Sequence, residues 1–531
     1  MYIRTVQRKN ADGSSVSYLQ IAENIWDSKK RRSRVQILCT LGRADRDAEQ
    51  RLKQLVRSIR KNALEAPELL EPGWTFQNSW EHGPLHVVAG TWDSLGIGKI
   101  IQEAAKDEDR NIPLERAIFL MVANRCLAPQ SKLGCYERWM EDIYFPQGDG
   151  IELQHLYRAM DFLDEHKDKI EEALYWRLAD LLSMDVDLVF YDTTSVHFET
   201  DEEDESLRKR GYSKNNRTDA PQMVVGLAVT RDGYPVKSWV CPGNTTDVTT
   251  LEQVKKDLRG WRLNRCIFVA DAGTVSEKNL AELRRGGGRY IVAMPWRKGT
   301  EVVKDVVSRP GRFQKVKDNL EVKEVRVGER RYVVCFNPQE AERQRRHRKD
   351  LLEELDAEIR GLKEHPKRAC QLVSSRRFGP YLRRLKTGEL RLNQAAIHER
   401  ERHDGMWVIH SNDDDLGAED LALAYKQLVR VEEAWRTMKS TIEIRPVYHR
   451  LSHRIRAHVF LCVLALLVER VVEKTCDSTW PRIREELRSI KIGQLLAPQG
   501  TVFQTTPGTP KARNILNTLK ISPLPAVLSV K

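Results

Sequence analysis

Three carboxylates in this chain stand where a divalent cation could be held. Asp192 and Asp271 each follow a short apolar run, residues 186–191 and 266–269, that reads as a buried strand. A carboxylate at a strand end projects into a cleft at the sheet edge, and two on neighbouring strands can share one metal site. Mg²⁺ favours hard oxygen ligands and usually takes only one or two carboxylates, leaving places for water and phosphate. A third carboxylate is then expected from a helix packed on the same edge. Within YKQLVRVEEAWRTMK, Tyr425, Glu432 and Lys439 recur at a spacing of seven and share one helical face. An acid, a base and a phenol so placed could grip metal and phosphate together. Glu433 lies about 100° further round the helix and rivals Glu432 on this spacing. Either aspartate alone is more often a turn former, and Glu432 and Lys439 also fit ordinary surface charges on a helix, so the pattern alone leaves both readings open.

The elements that must position these groups follow from periodicity. Strands are predicted over 186–191, 223–230 and 235–240, the last two joined by a turn containing Asp232-Gly233, a strong hairpin signal. A helix over 249–258, a strand over 266–269, a helix capped by Ser276 and running to Arg285, and a strand over 290–294 complete the order β-β-β-α-β-α-β. That order predicts an α/β protein with a ribonuclease-H-like catalytic core. Six segments are expected. Residues 1–65 form a small α/β module with strands at 18–22 and 34–41 and a basic helix at 47–61. Residues 66–184 begin with a Pro/Gly-containing link, 66–83, and continue as a helical domain suited to binding DNA ends, with helices at 114–126 and 154–182. Residues 185–295 are the first part of the core, and 296–405 a β-rich insertion carrying a long charged helix at 338–363. Residues 406–475 are the second part of the core: a strand at 405–411, one long helix region at 414–440 and another helix at 452–474. Residues 476–531, rich in proline, read as an extended tail.

Composition narrows the class. With 531 residues, 40% of them apolar and 31% charged, the chain can fill several cores. Its net charge of +12 favours a polyanionic partner such as DNA. Nine cysteines without a Cys-x-x-Cys pair read as reduced thiols in a cytosolic protein. The start, MYIRTVQRKN, is no signal peptide. The apolar run at 459–468 is about half the length of a membrane span and reads as a buried core helix. No Walker motif is present, so ATP is not implied, and Gly286-Gly287-Gly288 reads as a turn.

The sequence resembles insertion-sequence transposases of bacteria, of the Asp–Asp–Glu class, in the branch with a β-rich insertion domain and a Tyr–Arg–Glu–Lys signature. The likeness covers nearly the whole chain and is carried by YDTTSVHFE, GYSKNNRTDAPQMVVGLAV with PGNTTDVTTL, FVADAGTVS, and VEEAWRTMKSTIEIRPVYHR with RIRAHVFLCVLAL; Leu41-Gly42-Arg43 and Asn124-Arg125 also fit. The resemblance implies that Asp192, Asp271 and Glu432 are the catalytic, metal-binding triad. Tyr425 and Lys439 match the signature's Tyr and Lys. Its Arg falls on Leu428, and Arg436 is a substitute as a DNA contact. The resemblance further implies Mg²⁺, with Mn²⁺ as a replacement, cleavage of double-stranded DNA at the element's terminal repeats, and joining of the 3′-hydroxyl to target DNA. It implies a homodimer on DNA and a cytoplasmic, nucleoid-associated enzyme, with no membrane. An inactive DNA-binding protein of the same fold, or a nuclease without joining activity, are the alternatives.

Three other features bear on DNA. An acidic run, 199–205, precedes a basic segment, 208–217, which is either a phosphate contact or a solvated loop of mixed charge. His449 and His453 have helical metal-pair spacing, but no ligand completes a zinc motif there or at His458, so phosphate contact or plain surface is expected. Trp296 and Arg297 could stack on a base or simply pack.

Overall fold

The computed structural model describes residues 2–9, 15–27, 32–43, 74–106, 112–181, 187–212, 217, 219–261, 266–295, 301–362, 368–497 and 500–530. The expected basic helix at 47–61, Trp296 with Arg297, and residues 213–216 of the basic segment lie outside them. The chain divides into two units: Met1–Glu81 with Arg488–Arg513 and Pro523–Lys531, and His82–Leu487 with Asn514–Ser522.

The first unit contains two antiparallel sheets. One joins Tyr2–Lys9, Ser15–Asp27 and Arg32–Arg43 in that order. The other joins Thr75–Glu81 to Lys491–Ala497, Gly500–Thr505 and Val527–Val530. This corrects two expectations, since the link at 66–83 contains a strand and the tail is folded. The physical reason is pairing between distant segments: Ile492 lies opposite Trp80, a partnership no local pattern announces. Pro510 takes the first residue of a helix and Pro481 the second residue of another, where a missing N–H costs nothing.

The second unit is built on a nine-stranded sheet. Its strands are β1 (Leu188–His197), β2 (Gln222–Thr230), β3 (Pro235–Pro242), β4 (Ile267–Ala270), β5 (Arg289–Ala293), β6 (Gln314–Lys317), β7 (Leu320–Val327), β8 (Arg330–Phe336) and β9 (Met406–Ser411). The order across the sheet is β6-β7-β8-β9-β5-β4-β1-β2-β3. β1, β2 and β3 are antiparallel, and β4 and β5 run parallel to β1. The helices Asp247–Gly260 and Glu277–Arg284 fall between β3 and β4 and between β4 and β5, as the predicted order requires. Ser276 caps the second by accepting from the Asn279 N–H.

The expected insertion is only partly separate. β6, β7 and β8 extend the core sheet through β9 rather than forming a β domain of their own. A distinct small core forms beyond β8, where Leu355, Leu372 and Leu390 pack together with Ile359, Leu362 and Phe378 at their edge. Its long helix, Pro338–Gly361, buries Leu351 and Leu355 of the predicted stripe. A buried double contact between Arg348 and Asp404 ties the start of this segment to its end.

α1 (Ala418–Lys426) and α2 (Val429–Ser440) follow β9, and α3 (Ser452–Cys476) completes the core. α3 buries the whole apolar run 459–468 against the helices Leu114–Leu127 and Leu153–Leu181. Among the described residues no helix is long and apolar enough to cross a membrane. All nine cysteines are free thiols.

Candidate active site

Side-chain alternation decides which way the strand carboxylates point. Val189 and Tyr191 of β1, Phe268 and Ala270 of β4, and Tyr290 and Val292 of β5 pack in one cluster with Leu251, Leu258, Leu280 and Leu283 of the two crossover helices. Side chains along a strand alternate between faces. Asp192 and Asp271 therefore face the opposite side, where α1 crosses β4, β5, β7, β8 and β9 and α2 lies on β1 and β2.

The strand prediction needs one correction. β1 does not end at Asp192 but continues to His197, because β2 pairs with it throughout, with Asp192 opposite Leu227. What ends there is the parallel partner: the last pair between β1 and β4 is Tyr191 with Ala270. Asp192 and Asp271 are thus the next residues along adjacent strands, at the point where the two diverge. Asp192 is the single residue of β1 that is not fully buried.

The helix prediction also changes. The region 414–440 is two helices, parted at Gln427–Leu428 by a tighter turn. There the N–H groups of Leu428, Arg430 and Val431 bond three residues back, to Tyr425, Gln427 and Leu428. Tyr425 ends one helix and Glu432 opens the next, so the shared-face argument from a spacing of seven does not hold for this pair. Both nevertheless reach one cleft of about 280 Å³, lined by Asp192, Asp271, Trp407, Tyr425, Lys426, Leu428, Val429 and Glu432. The Tyr425 hydroxyl donates to Asp271 Oδ1 at 3.1 Å.

The structure separates Glu432 from its rival. Val431, Ala434, Trp435 and Met438 form the buried face of α2. Glu432 points into the cleft, whereas Glu433 accepts from Arg430 at 3.1 Å outside it. Arg430 is thereby engaged, and the apolar Leu428 forms part of the cleft wall. Arg436 is exposed one turn beyond Glu432, close enough for its charge to favour the carboxylate form. Lys439, a further turn on, is not among the lining residues. Sequence reasoning missed Trp407 and Lys426; only the meeting of β9 with the end of α1 makes them neighbours of the carboxylates.

Electrostatics mark the cleft as anionic. Burial, then the negative charges of Asp192 and Asp271, push the Glu432 carboxyl above the ordinary glutamate range. Burial and Asp271 likewise raise the Tyr425 phenol well above its usual value, so it stays protonated and donates. Among the described residues no group of three or more His, Cys, Asp or Glu side chains stands close enough to hold a metal ion by itself. An open cleft with hard oxygen donors fits a divalent cation that keeps water and accepts substrate oxygen. As pH falls, Glu432 takes a proton earlier than an ordinary glutamate. Calorimetric titration with Ca²⁺ should therefore show affinity lost at a higher pH than a free glutamate would give. Glu432→Gln should lower affinity where Glu432 is ionised, the difference from wild type vanishing at the acid end, and Glu433→Gln should leave it within twofold.

The remaining sequence features resolve as follows. Arg208 pairs with Asp204, Arg210 with Glu203 and Arg217 with Asp219, so the described part of the basic segment is a loop of mixed charge. His449 is not on a helix with His453, since α3 begins at Ser452. His449 and His458 are buried rather than superficial, and burial holds His449 down to about 3. His453 lies 3.0 Å from Asp161. The glycines 286–288 form a turn, with Gly286 and Gly287 at positive φ.

Comparison with known proteins adds the family. The transposase DDE domain matches residues 186–468, and the N-terminal domain of IS1634 family transposases matches residues 3–68. None of the curated proteins compared matches the chain. Among solved structures, similarity extends to a piggyBac transposase in a synaptic complex with hairpin DNA, at 10% identity and a TM-score of 0.36, over 76% of this chain and 79% of that one. Because the DDE domain spans more than half of the sequence and encloses all three carboxylates, the chain belongs to the DDE transposases.

Proposed function

We propose that this protein cuts the phosphodiester backbone at the terminal repeats of its own element and joins the freed 3′-hydroxyl to target DNA. The observation that carries the reading is the convergence of Asp192, Asp271 and Glu432, from two strands and a helix, on one cleft that contains no Ser, Cys or His nucleophile. In this reading residues 185–295 and 406–475 supply a ribonuclease-H-like catalytic core. On the same reading water and then a DNA hydroxyl are the nucleophiles, and the Tyr425 phenol, kept protonated by burial and by Asp271, serves as a hydrogen-bond donor.

Divalent cations, Mg²⁺ with Mn²⁺ as a substitute, would supply Lewis acidity for the attacking and leaving oxygens. Asp192 and Asp271 would hold them from adjacent strands, and Glu432 from the first turn of α2. Tyr425 fixes the orientation of the Asp271 carboxylate through its hydrogen bond. Leu428, Val429 and Trp407 wall the cleft, lowering its local dielectric and strengthening each charge interaction within it. Phosphoryl transfer needs chiefly positioning and charge neutralisation, which such a site provides. Two element ends must be brought together, which points to a homodimer on double-stranded DNA and places the protein with the nucleoid.

The test is incubation of the full chain with a duplex carrying the terminal repeat that flanks its own gene, plus a target plasmid. With Mg²⁺, and not with EDTA, nicking at the repeat boundary followed by covalent joining to plasmid is expected. Nicking without joining would reduce the reading to a nuclease, and no nicking would leave a DNA-binding protein.

A further inference from the structure

The cleft is strongly acidic, yet its substrate is a polyanion. A phosphate approaching three carboxylates needs positive charge from the protein besides that of any bound cation. Arg436 and Lys439 lie along α2 beyond Glu432 and outside the cleft lining. Lys426, on the last turn of α1, is the single cationic side chain among the lining residues.

Lys426 is held rather than free to swing. Its Nζ donates to the backbone oxygen and to the side-chain Oδ1 of Asn319, each at 3.1 Å. An ammonium group has three donors, so one remains for a further acceptor. Asn319 sits in the turn between β6 and β7, which carries a second lysine to the same place. Lys317 ends β6, is exposed, and lies near enough for its charge to bear on Lys426. Lys317 therefore adds a second positive charge beside that of Lys426, and an anionic oxygen there would relieve their repulsion. The strand extension β6–β7 thus reaches the rim of the cleft through a defined contact.

We propose that Lys426, oriented by Asn319 and reinforced by Lys317, binds a phosphate of the DNA strand lying in the carboxylate cleft. The inference rests on the phosphodiester-cutting reading above. It makes Lys426 a direct substrate contact, Asn319 a positioning residue and the β6–β7 turn part of the DNA-binding rim.

The experiment uses the full chain, its terminal-repeat duplex and Mg²⁺, with initial rates over a range of DNA and salt concentrations. Lys426→Gln should raise KM for the duplex about tenfold and reduce the dependence of binding on log salt by about one counterion. Lys426→Arg should retain most of the affinity. Asn319→Ala should raise KM about threefold with the salt dependence unchanged, because the charge remains and only its orientation is lost. Lys317→Gln, at an exposed position that should not perturb folding, should raise KM two- to fivefold and flatten the salt dependence. Unchanged KM and salt dependence in Lys426→Gln and Lys317→Gln, with Glu432→Gln inactive in the same assay, would overturn the phosphate contact while leaving the cleavage reading intact. Absence of Mg²⁺-dependent cleavage by the wild-type chain would overturn both.

Discussion

Replacing Asp192 or Asp271 by Asn, or Glu432 by Gln, is expected to lower the rate of strand cleavage by on the order of a thousandfold or more. Each substitution preserves volume and removes one charge. The three groups come from β1, from the end of β4 and from the first turn of α2, so no neighbouring carboxylate can take the place of the one lost. Glu433, the closest in sequence, is turned away to Arg430. Binding of terminal-repeat DNA without divalent cation should hold or tighten slightly in all three, since a negative charge facing the phosphates is removed. Glu432→Gln should also raise the melting temperature by a degree or so, because the native state holds that carboxylate against two others. Single-turnover cleavage and filter binding in parallel decide the matter. A variant cleaving within tenfold of wild type would remove that residue from the site.

Lys132→Met is expected to stabilise the protein, by on the order of a few kcal/mol below neutral pH. Lys132 is 1% exposed, and its Nζ has no hydrogen-bond partner among the described residues. The buried Arg125 lies beside it, and burial first, then that guanidinium, push its ammonium down from 10.5 to about 7. The sign follows from linkage. Between about 7 and 10.5 the unfolded chain binds a proton that the native state does not, so wild-type stability rises with pH across that window. Below it the full cost of the buried charge is present in the wild type and absent in the variant. The gain from Lys132→Met should therefore be largest at or below pH 7 and shrink toward pH 10. Methionine fills a comparable volume and leaves no unpaired donor. Thermal melts of both proteins across this range test it: a variant that melts lower than wild type at pH 7 would show that the ammonium is compensated in the native state.

The two predictions differ in where their grounds were visible. The carboxylates could be named from sequence because a buried strand of a parallel pair leaves a strong local signature. An unbroken apolar run such as IFVA, ended by an acid, needs only the residues beside it to be read. The same holds for the Asp232-Gly233 hairpin, the Ser276 cap and the fully apolar stretch of α3. Nothing local marked Lys132, whose neighbours Arg125 and Cys462 lie on other segments.

What the sequence determined by itself was the set of elements and the chemical identity of the groups at their ends, since periodicity and capping act over a few residues. It also carried the family, because several motifs recur in order along the chain. Tertiary structure decided everything that depends on contact between distant segments. It showed the tail and the link to be partners in one sheet, and joined the strands of the insertion to the core. It broke the helix between Tyr425 and Glu432, and chose Glu432 over Glu433 by the side of α2 that Val431, Ala434, Trp435 and Met438 bury. It brought Lys426 and Trp407 to the cleft. Burial of an apolar face fixes how a helix is rotated on a sheet, and that rotation is a property of the packed pair which neither segment encodes alone.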